Sequence, residues 1–185
     1  MRRAGLTAAS VLGWGDEMRV GLRGTSRRVW GRRGIKVRQR VQFQYEWRYL
    51  FLVVAGPRGQ LWWTWLDSMR AAELRAAVGG LRRHTPVEGV VWDRAPSHRD
   101  AGVRALGPVL IEQPPYAPEL NPAERVFEEL RRGIEGRVYP NLAAKVAAVE
   151  TILAELDADP ARVQRLAGWA WIRDACAALA EPIAA

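Results

Sequence analysis

The sequence predicts a mixed α/β fold, in which a sheet of antiparallel and parallel strands is flanked by helices. In the first half of the chain, apolar and alternating runs have the length of strands, whereas the second half alternates short apolar runs with helical spacing. With 185 residues, of which 49% are hydrophobic, the chain is long enough to bury one core and short for two. We therefore expect residues 1–185 to form a single domain.

The first half supplies the predicted antiparallel strands. "AASVLGWGD" is the first, "RRVWG" is a short second one, and "RVQFQYEW" shows the alternation of a third. "RYLFLVVAG" is a continuous apolar run that suits the centre of a sheet. The turn "GPRG" joins that run to "QLWWTWL", so these two strands are expected to form a hairpin.

The second half predicts alternating helices and strands. "SMRAAELRAAVGGLRRH" has the apolar spacing of a helix, with Ser68 as its cap. A strand "GVVW", a short helix after "PSH" and a strand "PVLI" follow. After the loop "EQPPYAPEL" a helix is expected from Asn121, and two more, at about 141–156 and 160–180, close the chain. This order is typical of parallel strands joined by helices.

The charge of the chain indicates a polyanionic partner. The net charge is +8 and the pI about 10.7, and Lys36 and Lys145 are the only lysines, so nearly all cations are arginines. Arginine holds phosphate oxygens in pairs, which favours nucleic acid as the partner. The alternative is a GC-rich genome that encodes arginine in place of lysine, and the net charge holds in either case.

Cysteine content and hydropathy bound the location of the protein. Cys176 is the only cysteine, which excludes an internal disulfide and a thiol cluster for zinc and fits a reducing cytoplasm. No apolar run approaches the roughly 18 residues of a membrane span, so no membrane association is expected. The N-terminal "MRRAGLTAASVLGWGDE" resembles a signal peptide only weakly, because it offers no convincing cleavage site.

Two acidic residues stand where predicted strands end. Asp93 follows "GVVW", and ligands of open α/β sheets bind at the carboxyl ends of strands. The alternative for Asp93 is a structural role at the start of the turn "DRAP". Asp16 likewise ends the first apolar run and is followed by Glu17. Each residue taken alone is a weak sign of a functional site.

A third carboxylate, Glu124, lies at the start of a predicted helix. In "NPAE", Asn121 is placed at the cap, Pro122 at the first helical position and Glu124 at the third. This arrangement is that of a capping box, which explains the glutamate without a function. The alternative is that Glu124 joins Asp16 and Asp93 in one site.

Three clustered carboxylates predict a metal site. Like charges in a cleft repel one another, so the cluster is tolerable only if cations hold it together. Hard oxygen ligands without a histidine or cysteine cluster favour Mg²⁺ or Mn²⁺ over zinc. Two such ions about 3.5 to 4 Å apart form a clamp for phosphodiester chemistry.

Two segments carry a family resemblance. "VVWDRAPSHR" and "PPYAPELNPAERVFEELRR" resemble the second and third catalytic blocks of the DDE transposases of bacterial insertion sequences related to mariner elements. "GWGDE" and "RRVWGRRG" match the usual opening of that domain, so the resemblance covers most of residues 8–140. It implies a ribonuclease-H-like fold and Mg²⁺- or Mn²⁺-dependent DNA cleavage and strand transfer. It also implies a metal-binding triad of Asp16 on the first strand, Asp93 at the end of the fourth and Glu124 on a late helix.

The resemblance extends to His98 and has three departures. The family carries a histidine at this point, which implies that His98 assists catalysis or bonds near Asp93; the alternative is a structural histidine at a helix start. Arg94 stands where the family prefers Asn, Gln113 where it prefers Leu, and Phe127 where it usually has Trp. None of the three departures removes a carboxylate.

The family resemblance also implies partners. Its members normally carry helix-turn-helix modules before the catalytic domain, whereas this chain begins almost at the first catalytic strand. Such a chain is expected to be the second reading frame of a split gene, a truncated copy or an isolated catalytic domain. In the first case the DNA-binding product of an upstream reading frame is a partner. We further expect a homodimer in the DNA complex and a location in the cytoplasm at the nucleoid. The competing hypothesis is an inactive transposase remnant that binds nucleic acid through its basic surface.

Overall fold

The computed structural model describes residues 6, 7, 9–24, 30–106 and 108–178. These residues form five strands and six α-helices, with short 3₁₀ turns before β3, α2 and α3. The strands are β1 (Val11–Gly21), β2 (Trp47–Ala55), β3 (Gln60–Leu66), β4 (Val87–Trp92) and β5 (Val109–Glu112). The helices are α1 (Ala71–His84), α2 (Ala101–Leu106), α3 (Ala123–Ile134), α4 (Leu142–Asp157), α5 (Pro160–Ala167) and α6 (Ala170–Ala177).

The strands form one mixed sheet in the order β3-β2-β1-β4-β5. β1, β2 and β3 pair antiparallel as a meander, whereas β4 and β5 join the other side of β1 in parallel. The predicted mixed α/β fold is therefore confirmed, including the hairpin of β2 and β3. The parallel strands are connected through α1 and α2, as the alternating pattern of the second half indicates.

The sheet is covered on both faces, because successive side chains of each strand point to opposite sides. On one face α3, α4 and α5 pack on the sheet, and on the other face α1 and α2 do so. The fully buried side chains of the first face include Leu50, Leu52, Phe127, Leu130, Leu153 and Leu156. Because helices cover both faces of the sheet, the ends of its strands are the places where a ligand-binding site can form.

The C-terminal helices close against the turn between β2 and β3. A Cβ added to Gly56 in that turn would lie 2.0 Å from the backbone oxygen of Ala167, at the end of α5. Only glycine allows so close an approach of two backbones. Val163 and Ala167 of α5 are fully buried in the same core as α3, so α5 is an integral part of this flank.

The tryptophan-rich strand β3 packs on the flank of α4. The indole Nε1 of Trp63 donates to Glu150 Oε2 at 3.0 Å, and Trp65 Nε1 donates to Oε1 of the same carboxylate. Trp14 and Trp92 are buried in the core. These tryptophans therefore serve packing.

Several predicted strand boundaries are wrong. β1 starts later than "AASVLGWGD" and runs on to Gly21. "RVQFQYEW" lacks regular structure before Trp47, because its alternating apolar side chains find no core: Phe43 and Tyr45 are 75% and 68% exposed. Most of "RRVWG" lies outside the described residues, and its Trp30 and Gly31 belong to no strand.

The helix ends also differ from the predictions. α1 begins at Ala71 without a side-chain cap, and Ser68 instead accepts a long 3.4 Å bond from the Arg70 amide. The predicted last helix is two helices, α5 and α6, which Gly168 separates. None of the helices in the described part of the chain is long and apolar enough to cross a membrane.

Candidate functional site

Asp16 and Asp93 lie side by side at the carboxyl end of β4. The parallel ladder aligns Trp14 of β1 with Val91 of β4, and each aspartate follows two residues later. The prediction that Asp16 ends a strand is wrong, because β1 continues to Gly21 and keeps pairing with β2. The sheet is open at this point because β4 ends at Trp92, whereas the neighbouring strand β1 continues to Gly21.

Asn121 joins the start of α3 to this edge. Its buried side chain donates from Nδ2 to the Gly15 oxygen at 3.0 Å and to Asp16 Oδ2 at 3.2 Å. Its Oδ1 accepts from the Ala123 amide at 3.0 Å. Sequence reasoning treated Asn121 only as a helix cap and missed its bonds to the strand.

The capping-box interpretation of Glu124 is wrong. The backbone N–H of Asn121, which a capping box would offer to Glu124, donates to the Pro118 oxygen at 2.9 Å. Glu124 Oε2 instead accepts from Arg131 Nη1 at 3.4 Å, and the Glu124 side chain is 36% exposed. The helix start therefore does not use the Glu124 carboxylate.

The three carboxylates influence one another at Asp16. The pKa of Asp16 is raised to about 7, first by burial and then by the charges of Glu17, Glu124 and Asp93, against a hydrogen bond from the Glu17 amide that lowers it. Burial is thus the largest single cause of the raised pKa of Asp16. Asp93 remains open to solvent, with its side chain 59% exposed.

His98 bridges Asp93 and Glu17. Its Nδ1 lies 2.6 Å from Asp93 Oδ1, and its Nε2 lies 3.3 Å from Glu17 Oε2; both are ion-pair contacts without the alignment of a hydrogen bond. The imidazole stacks on Trp92, with 3.7 Å between ring centroids and 21° between planes. The predicted contact of His98 with Asp93 is therefore present.

Charge and burial act in opposite directions on this pair. Burial lowers the pKa of His98, but the contact and charge of Glu17, and then those of Asp93, outweigh it and raise the pKa. Burial raises the pKa of Glu17, which the nearby His98 partly offsets. In the sequence, Glu17 was noted only as the neighbour of Asp16. Because successive side chains of a strand point to opposite faces, this position could have indicated that Glu17 faces the other side of the sheet from Asp16.

The donor chemistry of Asp16, Asp93 and Glu124 fits a hard divalent cation. All three offer carboxylate oxygens, which Mg²⁺ and Mn²⁺ prefer. Within the described part of the chain, no three His, Cys, Asp or Glu side chains already stand close enough together to hold an ion. An ion would have to draw in the partly exposed carboxylates of Asp93 and Glu124 toward Asp16.

A basic segment precedes β2. Residues 30–46 carry five cationic side chains against one carboxylate, Glu46, and all of residues 30–40 are exposed. Trp30 is fully exposed, and the Arg23 guanidinium lies 4.8 Å from the Tyr45 ring centroid. Cationic and aromatic groups together are the groups that bind phosphates and bases.

The sequence of residues 11–144 matches the family of DDE superfamily endonucleases, so the chain belongs to this family. No curated protein matches the chain. The solved structures that resemble it include the Mos1 transposase paired-end complex with left transposon end, at 17% identity and a TM-score of 0.66 over 91% of this chain and 55% of that one.

Two further Mos1 structures are similar in fold. The Mos1 strand transfer complex matches with 16% identity and a TM-score of 0.63, over 94% of this chain and 56% of that one. The catalytic domain of Mos1 mariner transposase matches with 17% identity and a TM-score of 0.60, over 91% of this chain and 81% of that one. The ribonuclease-H-like fold is thereby confirmed. The chain spans about half the length of the Mos1 chains in the DNA complexes.

Proposed function

We propose, from the membership of the chain in the DDE endonuclease family, that it is a transposase catalytic domain that cleaves DNA strands and transfers them during transposition. The observation that supports the proposal is the placement of Asp16 and Asp93 on neighbouring strands at the carboxyl end of β4, where the charges of Asp93 and Glu124 both act on Asp16. On this proposal residues 1–185 act as one catalytic unit, with helices from about residue 141 as its C-terminal part.

The proposed reaction has two displacements at phosphorus. Water first attacks the phosphodiester at an element's end, and a 3′-hydroxyl leaves. That hydroxyl then attacks a phosphodiester of the target DNA, and the bond from this phosphorus to the 3′-oxygen of the target strand breaks, so that a 3′-hydroxyl of the target leaves. Asp16, Asp93 and Glu124 would hold Mg²⁺ or Mn²⁺ as two ions. When bound, the ions would supply activation of the nucleophile and stabilisation of the leaving oxygen. The Mos1 mariner paired-end complexes with Mn and with Mg support this choice of metals.

The proposed partner is DNA. The net charge of +8 and the exposed basic segment of residues 30–46 support contacts to phosphates, which position a protein without reading sequence. Sequence-specific binding of element ends would come from an upstream DNA-binding reading-frame product, and two copies of the chain would act on one DNA complex. We place the protein with the mariner-related insertion sequences of bacteria, acting at the nucleoid.

The test is cleavage of end-labelled DNA that carries the sequences flanking the gene. Wild-type protein is incubated with Mg²⁺, Mn²⁺ or chelator, with and without any upstream reading-frame product. Asp93→Asn and Glu124→Gln are expected to lower the cleavage rate by orders of magnitude, because an amide is a weaker ligand than a carboxylate. Glu128→Gln is the matched control on the same helix, since Glu128 pairs with Arg125 at 2.9 Å.

The same assay separates the active enzyme from an inactive remnant. A remnant would bind DNA through its basic surface and give no cleavage with either metal, although it remained folded. If Glu124→Gln cleaved as fast as the wild type, the assignment of Glu124 would be wrong even where Asp93→Asn was inactive. Equal rates for Asp93→Asn and the wild type would remove the proposed site altogether.

A further inference from the structure

Glu17 is a buried carboxylate for which packing offers no reason. It lies on the face of β1 opposite to Asp16, its side chain is only 6% exposed, and its Oε1 has no hydrogen-bond partner among the described atoms. Removing a carboxylate from water carries a large free-energy cost unless its partners compensate for it. A hydrophobic residue would fill the same space in the core without this cost.

Glu17 contacts the ring of His98, and the side chain of Trp92 also acts on its carboxylate. Trp92 stacks on one face of the imidazole, which sets the plane of the ring. Glu17 Oε2 at Nε2 and Asp93 Oδ1 at Nδ1 then occupy the two polar ends of the ring, which sets its rotation within that plane. The three contacts leave His98 one orientation, in which Nδ1 faces Asp93.

Asp93 Oδ1 is held from two sides. It accepts from the Ala95 amide at 2.9 Å, within the turn that follows β4, and it lies 2.6 Å from His98 Nδ1. The carboxylate would otherwise turn freely, because its side chain is 59% exposed. Fixing one oxygen determines where the other oxygen points.

We propose that Glu17 is a positioning residue that, through the ring of His98, holds the carboxylate of Asp93 in the orientation that binds a divalent cation. This inference rests on the proposed function, because it takes Asp93 as a ligand. Residues that orient a metal ligand from behind typically contribute about 10–100-fold in metal affinity or activity. Glu17 itself touches neither substrate nor ion.

The test is a titration of the full chain with Mn²⁺ alone, without DNA, in which free Mn²⁺ is followed by electron paramagnetic resonance. Glu17→Leu keeps the side-chain volume and removes the oxygens; because the loss of one partner from a buried ion pair destabilises a protein, thermal melting checks that this variant is folded at the temperature of the titration. We expect Glu17→Leu to melt cooperatively and to bind Mn²⁺ about 10-fold more weakly than the wild type. Glu17→Gln, which retains an oxygen for Nε2, is expected to keep most of the affinity.

A double variant and a matched control isolate the route through His98. Because Glu17 acts through the ring, Glu17→Leu combined with His98→Ala is expected to bind Mn²⁺ no more weakly than His98→Ala alone. Glu150 is the control, since its partly buried carboxylate also meets indole N–H groups, but on the far flank of the sheet. Glu150→Leu should leave Mn²⁺ affinity unchanged.

The outcomes separate this inference from the proposed function. Wild-type affinity in Asp93→Asn, or no binding by the wild type, would overturn the metal site and the inference together. Loss of binding in Asp93→Asn with wild-type affinity in Glu17→Leu would overturn the inference alone. So would additive losses in the double variant, or an affinity of Glu17→Gln as low as that of Glu17→Leu.

Discussion

Two connecting segments of the molecule lack long regular structure and are held in opposite ways. Residues 113–122, between β5 and α3, are fixed by two buried polar side chains: Gln113 Nε2 donates to the Ala117 oxygen, and Asn121 bonds to β1 and α3. Residues 30–46, before β2, expose nearly all their side chains. Backbone bonds from Leu22 and Gly24 tie only the end of this segment that leads into β2.

The difference shows two ways of building a segment without regular structure. Buried amide side chains fix the backbone of one segment, whereas exposed charged side chains leave the backbone of the other free to adapt. Buried amides must find their partners in one arrangement, because an unpaired buried polar group costs about 1–3 kcal/mol. Exposed arginines lose nothing when they move. The first segment therefore suits a role in placing Glu124, and the second suits contact with a surface whose shape varies.

The largest expected effect is on the fixed segment. Asn121→Ala removes three hydrogen bonds and leaves the Gly15 oxygen and the Ala123 amide without a side-chain partner, so we expect a loss of about 3 kcal/mol in the free energy of unfolding. Asn141→Ala is the control: its exposed side chain caps α4 through the Ala144 amide, and its loss should cost about 1 kcal/mol. Urea unfolding of both variants measures the two values. Equal losses would show that Asn121 is only a cap.

An intermediate effect is expected where the exposed segment meets the core. Gln42 exchanges two bonds with the backbone of Tyr139, donating to its oxygen at 2.6 Å and accepting from its amide at 2.9 Å. Gln42→Ala should lower the free energy of unfolding by about 1 kcal/mol, since water replaces both bonds at this partly buried site. Hydrogen exchange should accelerate at the Tyr139 amide and stay unchanged at Ala123. Unchanged exchange at Tyr139 would show that the segment needs no anchor.

The smallest effect on stability, with a clear effect on binding, is expected for the exposed cations. Arg32→Ser combined with Arg33→Ser should change the free energy of unfolding by no more than about 0.5 kcal/mol. If both arginines contact phosphates, the slope of log K for DNA against log salt should become shallower by roughly 2. Arg132→Ser with Arg165→Ser, on α3 and α5, should leave the slope unchanged. A slope equal to the wild type in the first pair would remove this segment from the DNA interface.

The fold was largely predictable because its central strands carry strong local signals. The apolar run of β2, its turn and β3 could be placed from sequence alone, and so could the strand that leads to Asp93. "RVQFQYEW" misled because alternation indicates a strand only when one face has a core to meet, and here Phe43 and Tyr45 meet solvent.

The site was predictable only in part, because its other residues make contacts with residues that are distant in the sequence. Asp93 and Glu124 stand at element ends that sequence can place, whereas Asp16 lies inside β1 and was assigned through the family resemblance. The bonds of Asn121 to Gly15, and the contact of Glu17 with His98, depend on which strand faces which helix and on where β4 stops. Local spacing carries neither piece of information.

The close approach of Gly56 to Ala167 bears on how the chain folds as it is synthesised. The region that matches the family ends at residue 144, yet Leu153, Leu156 and Val163 complete the core beneath β1, β2 and β3. Contacts between residues so far apart in sequence form late, because the long intervening loop must first be closed. The strands and helices that carry Asp16, Asp93 and Glu124 are therefore synthesised before the helices that cover one face of the sheet, and we expect those later helices to decide when the sheet becomes stable.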